Sequence, residues 1–136
     1  MPQIPAVING VAVDFDEGVV NDVDQAVVDG LKHCVKTNIA AGHSLVRIFI
    51  SSASDSHSFP SRHAQKKAVD ISRINGTKIV IGYPSNVALK AIVDAIQTTF
   101  ESFSRRRENF GPHLKHKLGN PFAVSGHQDH IHLSVN

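Results

Sequence analysis

Apolar residues fall along this chain in two kinds of run. At Val23, Val27, Leu31, Val35 and Ile39 they recur every fourth position, the single stripe of an amphipathic helix. That spacing predicts a first helix over about 21–41. Asn21 or Asp22 would cap it, Asp22 and Asp24 would sit at its positive pole, and Gly42 would close it. A second stripe, Val87 or Leu89 with Ile92, Ile96, Phe100 and Phe103, predicts a helix opened by Pro84-Ser85-Asn86. It would end at Arg105, Arg106 and Arg107, cations that suit the negative pole. The other runs are short and β-prone. Asn9-Gly10 between Ala6–Ile8 and Val11–Val13 predicts a type I′ hairpin, since both turn residues tolerate positive φ. Leu45–Ile50 reads as a buried strand, and Ser51–Ser61 as a polar loop. Ala68–Ile71 and Lys78–Ile81 read as strands joined through Asn75-Gly76, and Ile131–Val135 as a last, alternating strand. The order predicts a single α+β domain, 1–136, with a mostly antiparallel sheet and two main helices packed on it. Residues 1–20 would form an N-terminal hairpin arm.

Composition narrows the class. A chain of 136 residues with 41% apolar and 19% charged residues can bury a core without disulfides. The single cysteine, Cys34, excludes an internal disulfide and reads as a small core residue beside the first helical stripe. No apolar run approaches the roughly 18 residues of a membrane span, and the first residues carry no signal-peptide pattern. Charge is unevenly placed. Residues 1–30 hold six acids and no Lys or Arg, which leaves 14 basic and 6 acidic side chains on the rest. The asymmetry implies either an internal acidic–basic contact or a basic face toward an anionic partner. The basic stretch Arg105 to Lys117 reads as a solvated helix end. Only Phe110 interleaves it and no nucleic-acid motif accompanies it, so no nucleic-acid partner is expected.

Nine histidines are the chain's most unusual feature. Ser61-Arg62-His63 is followed seven residues later by Asp70, and the C-terminal end reads His127-Gln128-Asp129-His130-Ile131-His132. Alternate side chains of a strand share a face, so His130 and His132 point the same way. If the strands bearing Asp70 and His132 are neighbours, His63, Asp70 and His132 could converge on one ion. Two imidazoles and a carboxylate, with a fourth position left for water, form the ligand set of a catalytic zinc site. Asp129 could orient a ligand imidazole or simply turn the chain. His33, His43, His57, His113 and His116 lack ligand spacing.

The pattern Ser61-x-His63-x-x-Lys66-x-Ala68-x-Asp70, followed by His127-x-x-His130-x-His132, resembles that of the zinc D-alanyl-D-alanine metallopeptidases. That family includes L-alanyl-D-glutamate endopeptidases and shares its core with lysostaphin-type enzymes and the hedgehog signalling domain. The resemblance covers roughly residues 45–135 and implies a hedgehog/D-Ala-D-Ala peptidase-like fold. It implies one Zn²⁺ held by His63, Asp70 and His132. His127 falls where the family usually carries a Glu that deprotonates the zinc-bound water. His130 would stabilise the oxyanion, Ser61 would contact substrate backbone, and Arg47 would bind a substrate carboxylate or carbonyl. Without the resemblance, Arg47 could merely snorkel from its apolar strand or pair with a core acid such as Asp14. Lys66 replaces the motif's Gly, so the loop is expected to avoid the positive φ that Gly adopts cheaply.

The resemblance thus implies a zinc metallopeptidase, acting as a monomer on peptidoglycan stem peptides. D-Ala-D-Ala carboxypeptidase activity is slightly favoured over L-Ala-D-Glu endopeptidase activity, because Arg47 suits a terminal carboxylate. The substrate places the protein outside the cytoplasm or at the cell wall, reached by phage-type release or by a chain shown without its leader. The alternatives are a non-catalytic zinc-binding module of the same fold and a zinc-dependent phosphoesterase using the basic patch.

Overall fold

The computed structural model describes residues 2–53, 62 and 64–136. The elements run β1 (Val7–Ile8), β2 (Val11–Phe15), α1 (Gln25–Cys34), β3 (Arg47–Ser52), β4 (Ala68–Ile74), β5 (Thr77–Lys78), α2 (Ile79–Gly82), α3 (Val87–Phe100), β6 (Arg106–Phe110), β7 (Lys115–Lys117), β8 (Asn120–Pro121) and β9 (Ile131–Val135). The strands form an open sheet in the order β1-β2-β3-β4-β9-β6-β7-β8, with β5 folded back on β4. Every described pairing is antiparallel except β2 with β3, which α1 connects as a parallel crossover. The fold is therefore α+β with a mostly antiparallel sheet, as the sequence predicts. Among the described residues no helix is long and apolar enough to cross a membrane.

Both Asn-Gly turns form as their chemistry requires. Asn9 and Gly10 have φ of 49° and 81°, and Asn75 and Gly76 have 51° and 82°, the left-handed pair of a type I′ turn. Each asparagine also ties its turn to another element. Asn9 Nδ2 donates to the carbonyls of Lys32 and Val35, 2.8 and 3.0 Å away. Asn75 Oδ1 accepts from the amides of Val46 and Arg47 at 2.8 and 3.1 Å.

The first helix is shorter than its stripe predicts, spanning 25–34 instead of about 21–41. At its start, Gln3 bridges Asp22 and the Val23 amide donates to Pro2, so those residues are extended. The cap is Asp24, which accepts from the Ala26 amide at 2.9 Å. At its end, Asn9 satisfies carbonyls the next turn would have used, and Val35 is extended. Val35 still reaches the core, and Ile39 packs against it. Gly42 lies in a tight turn between Ala40 and His43 rather than at the helix end.

Ile79–Ile81, predicted as strand, instead forms one helical turn. A strand would have buried Ile79 and Ile81 together. The turn buries Ile79 and Gly82 and leaves Val80 and Ile81 58% and 70% exposed. Leu89 packs so closely on Gly82 that a Cβ there would lie 2.6 Å from it. The second main helix, α3, starts as predicted, with Asn86 accepting from the Leu89 amide. Its buried stripe takes Leu89 rather than Val87 and runs through Ile92, Ile96 and Phe100. Arg106 and Arg107 do not end that helix; they begin β6.

The core lies on one face of the sheet, beneath α1 and α3. Gly30 lets the helices approach, since a Cβ there would meet the Phe100 and Phe103 rings at 3.1 and 3.3 Å. A buried amide pair joins α3 to the far half of the sheet. Gln97 Nε2 donates to Asn109 Oδ1 and the Leu114 carbonyl, and Asn109 Nδ2 donates to the Gln97 carbonyl and Glu101. These bonds fix β6, and with it the face that β6 turns away from the core.

Candidate functional site

The last strand of the chain is central in the sheet. Strand β9 lies between β4 and β6, and all five of its residues are buried. Its register places His132 opposite Asp70 on one side and Phe110 on the other. Ile131, Leu133 and Val135 face the helices, so His132 and Ser134 belong to the opposite, open face. Asp70, Glu108 and Phe110 present side chains to the same face. Residues separated by 62 and 24 positions thus meet around one imidazole.

His132 is held at both ring nitrogens. Nδ1 is 2.8 Å from Asp70 Oδ1 and Nε2 is 3.0 Å from Glu108 Oε1. Carboxylates only accept, so both nitrogens carry protons. Burial opposes that charge, but the bonds to Asp70 and Glu108 outweigh it and hold the pKa up at about 9. Glu108 is raised by burial and lowered more by His132 and Ser134, ending at about 2. Ser134, fully buried, donates to Glu108 at 2.8 Å and accepts from its amide at 2.9 Å. Phe110 stacks on the His132 ring, with centroids 5.7 Å apart.

His127 and His130 complete the cluster. Their ring centroids are 5.0 Å apart, and His127 lies 5.8 Å from His132 and 5.2 Å from Phe110. His127 Nδ1 donates to the Ser125 carbonyl at 3.1 Å, which makes Nε2 the lone-pair nitrogen. Burial first, then the neighbouring His130 and His132, lower its pKa and keep it neutral. Its φ of 67° is left-handed, a conformation costly outside glycine and characteristic of functional positions. His130 Nδ1 bonds Asp129 Oδ1 at 2.7 Å, and its Nε2 is 3.9 Å from Asp70 Oδ1. Asp129 therefore orients an imidazole of the cluster.

Among the residues expected to act together, the structure joins Asp70, His127, His130 and His132. His63 and Ser61 lie outside the described residues. Arg47 stands apart: it begins β3, whereas Ser52 at the other end of that strand pairs with Asp70. Five residues of strand, about 16 Å, separate those levels. Arg47 Nε is 2.6 Å from Asp14 Oδ2, so the acid partner is the reading its geometry supports. Lys66 also corrects an expectation, because it adopts φ 62°. The loop keeps a glycine-like turn in spite of the side chain. Its carbonyl accepts from Asp24, the cap of α1, at 2.8 Å.

The pattern of the sequence does not reveal Glu108. Read as a helix end, Arg106–Phe110 presents no face; read as a strand, it puts Glu108 and Phe110 on one side and Asn109 on the other. Zinc takes imidazole nitrogen and carboxylate oxygen, and His132 Nδ1 with Asp70 Oδ1 supplies one of each. Among the described residues no group of three His, Cys, Asp or Glu is arranged to hold a metal. The third expected donor, His63, is not among them. Two donors of the right kind thus converge, with Glu108 on the far nitrogen of the imidazole, where metal-binding histidines characteristically have an acceptor. No protein-family model, no curated protein and no solved structure matches this chain.

Proposed function

We propose that the protein is a zinc-dependent peptidase of the hedgehog/D-Ala-D-Ala peptidase type, acting on peptide bonds of peptidoglycan stem peptides outside the cytoplasm. The observation that carries this reading is the paired approach of Asp70 and His132, 2.8 Å apart, beside the His127 ring. His63, Asp70 and His132 would hold the ion, which when bound supplies Lewis acidity toward a carbonyl and lowers the pKa of water.

The chain's own groups fit the remaining tasks. His127 Nε2 can take a proton from the attacking water and return it to the leaving amine, and its neutrality suits a base at ordinary pH. His130, steadied by Asp129, can donate toward an oxyanion. Glu108 and Ser134 keep the His132 ring in place, with Nδ1 toward Asp70. Arg47, the residue that would favour carboxypeptidase activity, pairs with Asp14, so it lends that preference no support.

The test is mass spectrometry of defined stem peptides incubated with zinc-loaded protein, with and without a chelator. A chelator-sensitive product is expected. His127→Ala should retain zinc and lose turnover, whereas His132→Ala should lose the metal. One bound zinc with no product from any stem peptide would overturn the peptidase reading and leave a zinc-binding module.

A further inference from the structure

A cavity of about 240 Å³ opens on the same sheet face, and Asp129, which bonds His130, is part of its lining. Asp16, Phe49, Ser72, Arg73, Lys78 and Asp129 line it. Its carboxylates both have donors: Asp16 accepts from the Glu17 amide at 2.8 Å and Asp129 from His130 at 2.7 Å. Its cations have no side-chain acceptors among the described residues. The central carbon of the Arg73 guanidinium lies over the Phe49 ring, 4.3 Å from the centroid. Neither Arg73 nor Lys78 makes an ion pair or side-chain hydrogen bond among the described residues. A guanidinium that rests on a ring keeps its N–H donors for another partner, and a carboxylate can take two of them at once.

We propose that this cavity is a subsite for a carboxylate of an extended peptide, with Arg73 as its principal contact and Lys78 at its rim. The inference rests on the peptidase reading above and specifies the substrate of that site as an acidic peptide. Spacing specifies it further. Arg73 follows Asp70 by three residues of the same strand, about 10 Å. Its guanidinium turns sideways over Phe49, its register partner on β3, and not back toward Asp70. An extended peptide covers about 10 Å in about three residues. The carboxylate therefore belongs two or three residues from the reacting bond, which makes that bond internal. In a single terminal residue the carboxylate lies only about 4 Å from the scissile carbon, within roughly one residue's length.

The probes are tetra-alanine with a free C-terminal carboxylate and the same peptide as its C-terminal amide. Each is titrated into metal-free protein and followed by calorimetry and by amide chemical shifts. The acid should bind about tenfold or more tightly than the amide, as a charge-assisted bond predicts, with shifts centred on Phe49, Ser72 and Arg73. Arg73→Gln should abolish the preference. Lys78→Gln, at an exposed position, should reduce it and covers the case in which the first variant fails to fold. Equal affinity for acid and amide, or a preference intact in the folded variants, would overturn the subsite. A preference that depends on Arg73 without chelator-sensitive cleavage would keep the subsite and remove the peptidase reading. Cleavage to which Arg73→Gln is indifferent would do the reverse. Release of a single terminal residue as the only product would overturn the spacing.

Discussion

Replacing Glu108 by Gln isolates one charge in the candidate site. The amide keeps a carbonyl oxygen for the His132 Nε2 proton and the Ser134 hydroxyl, so shape and hydrogen bonding persist while the negative charge goes. In the metal-free protein, moving His132 from its ordinary 6.5 to about 9 corresponds to about 3 kcal/mol of net preference for the charged ring. Asp70 and Glu108 share that preference, so the substitution should cost roughly 1–2 kcal/mol. The lowered Glu108 pKa expresses the same interaction from the other side and is not added to it.

The cost must depend on pH. Because the His132 pKa is raised, its contribution is complete below 6.5 and lost as pH rises through about 9. Because the Glu108 pKa is lowered, its contribution is complete above 4.5 and lost as pH falls through about 2. The gap between parent and Glu108→Gln should therefore be widest at pH 4.5–6.5 and should close toward pH 10. Urea denaturation of both proteins with chelator present, at pH 5.5 and pH 10, measures it. Equal gaps at the two pH values would refute the reasoning, since a purely steric effect of the amide has no reason to vanish when His132 is neutral.

Other outcomes follow from the same geometry. Glu108→Gln should also weaken zinc retention about tenfold or more in a chelator competition, because an acceptor behind a ligand imidazole raises its basicity. Gln97→Leu should destabilise by about 3 kcal/mol in chemical denaturation, since it strands Asn109 and the amides of His113 and Leu114 that Gln97 now satisfies. Lys66→Gly should leave thermal stability unchanged or raise it by up to about 1 kcal/mol, because relief of a left-handed side chain offsets the added freedom of the unfolded chain. Cys34 is fully buried, and that burial pushes its pKa to about 12. A thiol reagent should label it only as fast as the protein unfolds.

Local chemistry made a large part of the fold readable. Both Asn-Gly turns, the opening of α3 after Pro84-Ser85-Asn86, its apolar stripe as far as Phe100 and the alternation of β9 depend on residues a few positions apart, and these appear where the sequence puts them. The departures occur where a distant group intervenes. Asn9 takes up the carbonyls at the end of α1, Leu89 packs on Gly82 where Ile79–Gly82 forms a helical turn, and Gln97 with Asn109 ties a stretch without apolar alternation to α3. Hydrophobic period reports which residues a segment buries. It does not report which other segment satisfies its polar groups.

The site divides in the same way. The sequence by itself determined the types and spacing of the candidate donors, because period-2 geometry alone puts His130 and His132 on one side of a strand. Only the tertiary structure decided that this strand lies between β4 and β6, and hence that Asp70 and Glu108 hold opposite nitrogens of one ring. It also decided that Arg47 pairs with Asp14, whereas Arg73 meets no carboxylate among the described residues. Strand order is set by how the whole sheet buries its apolar face against two helices. That free energy is summed over residues far apart in the chain, and no short motif contains it.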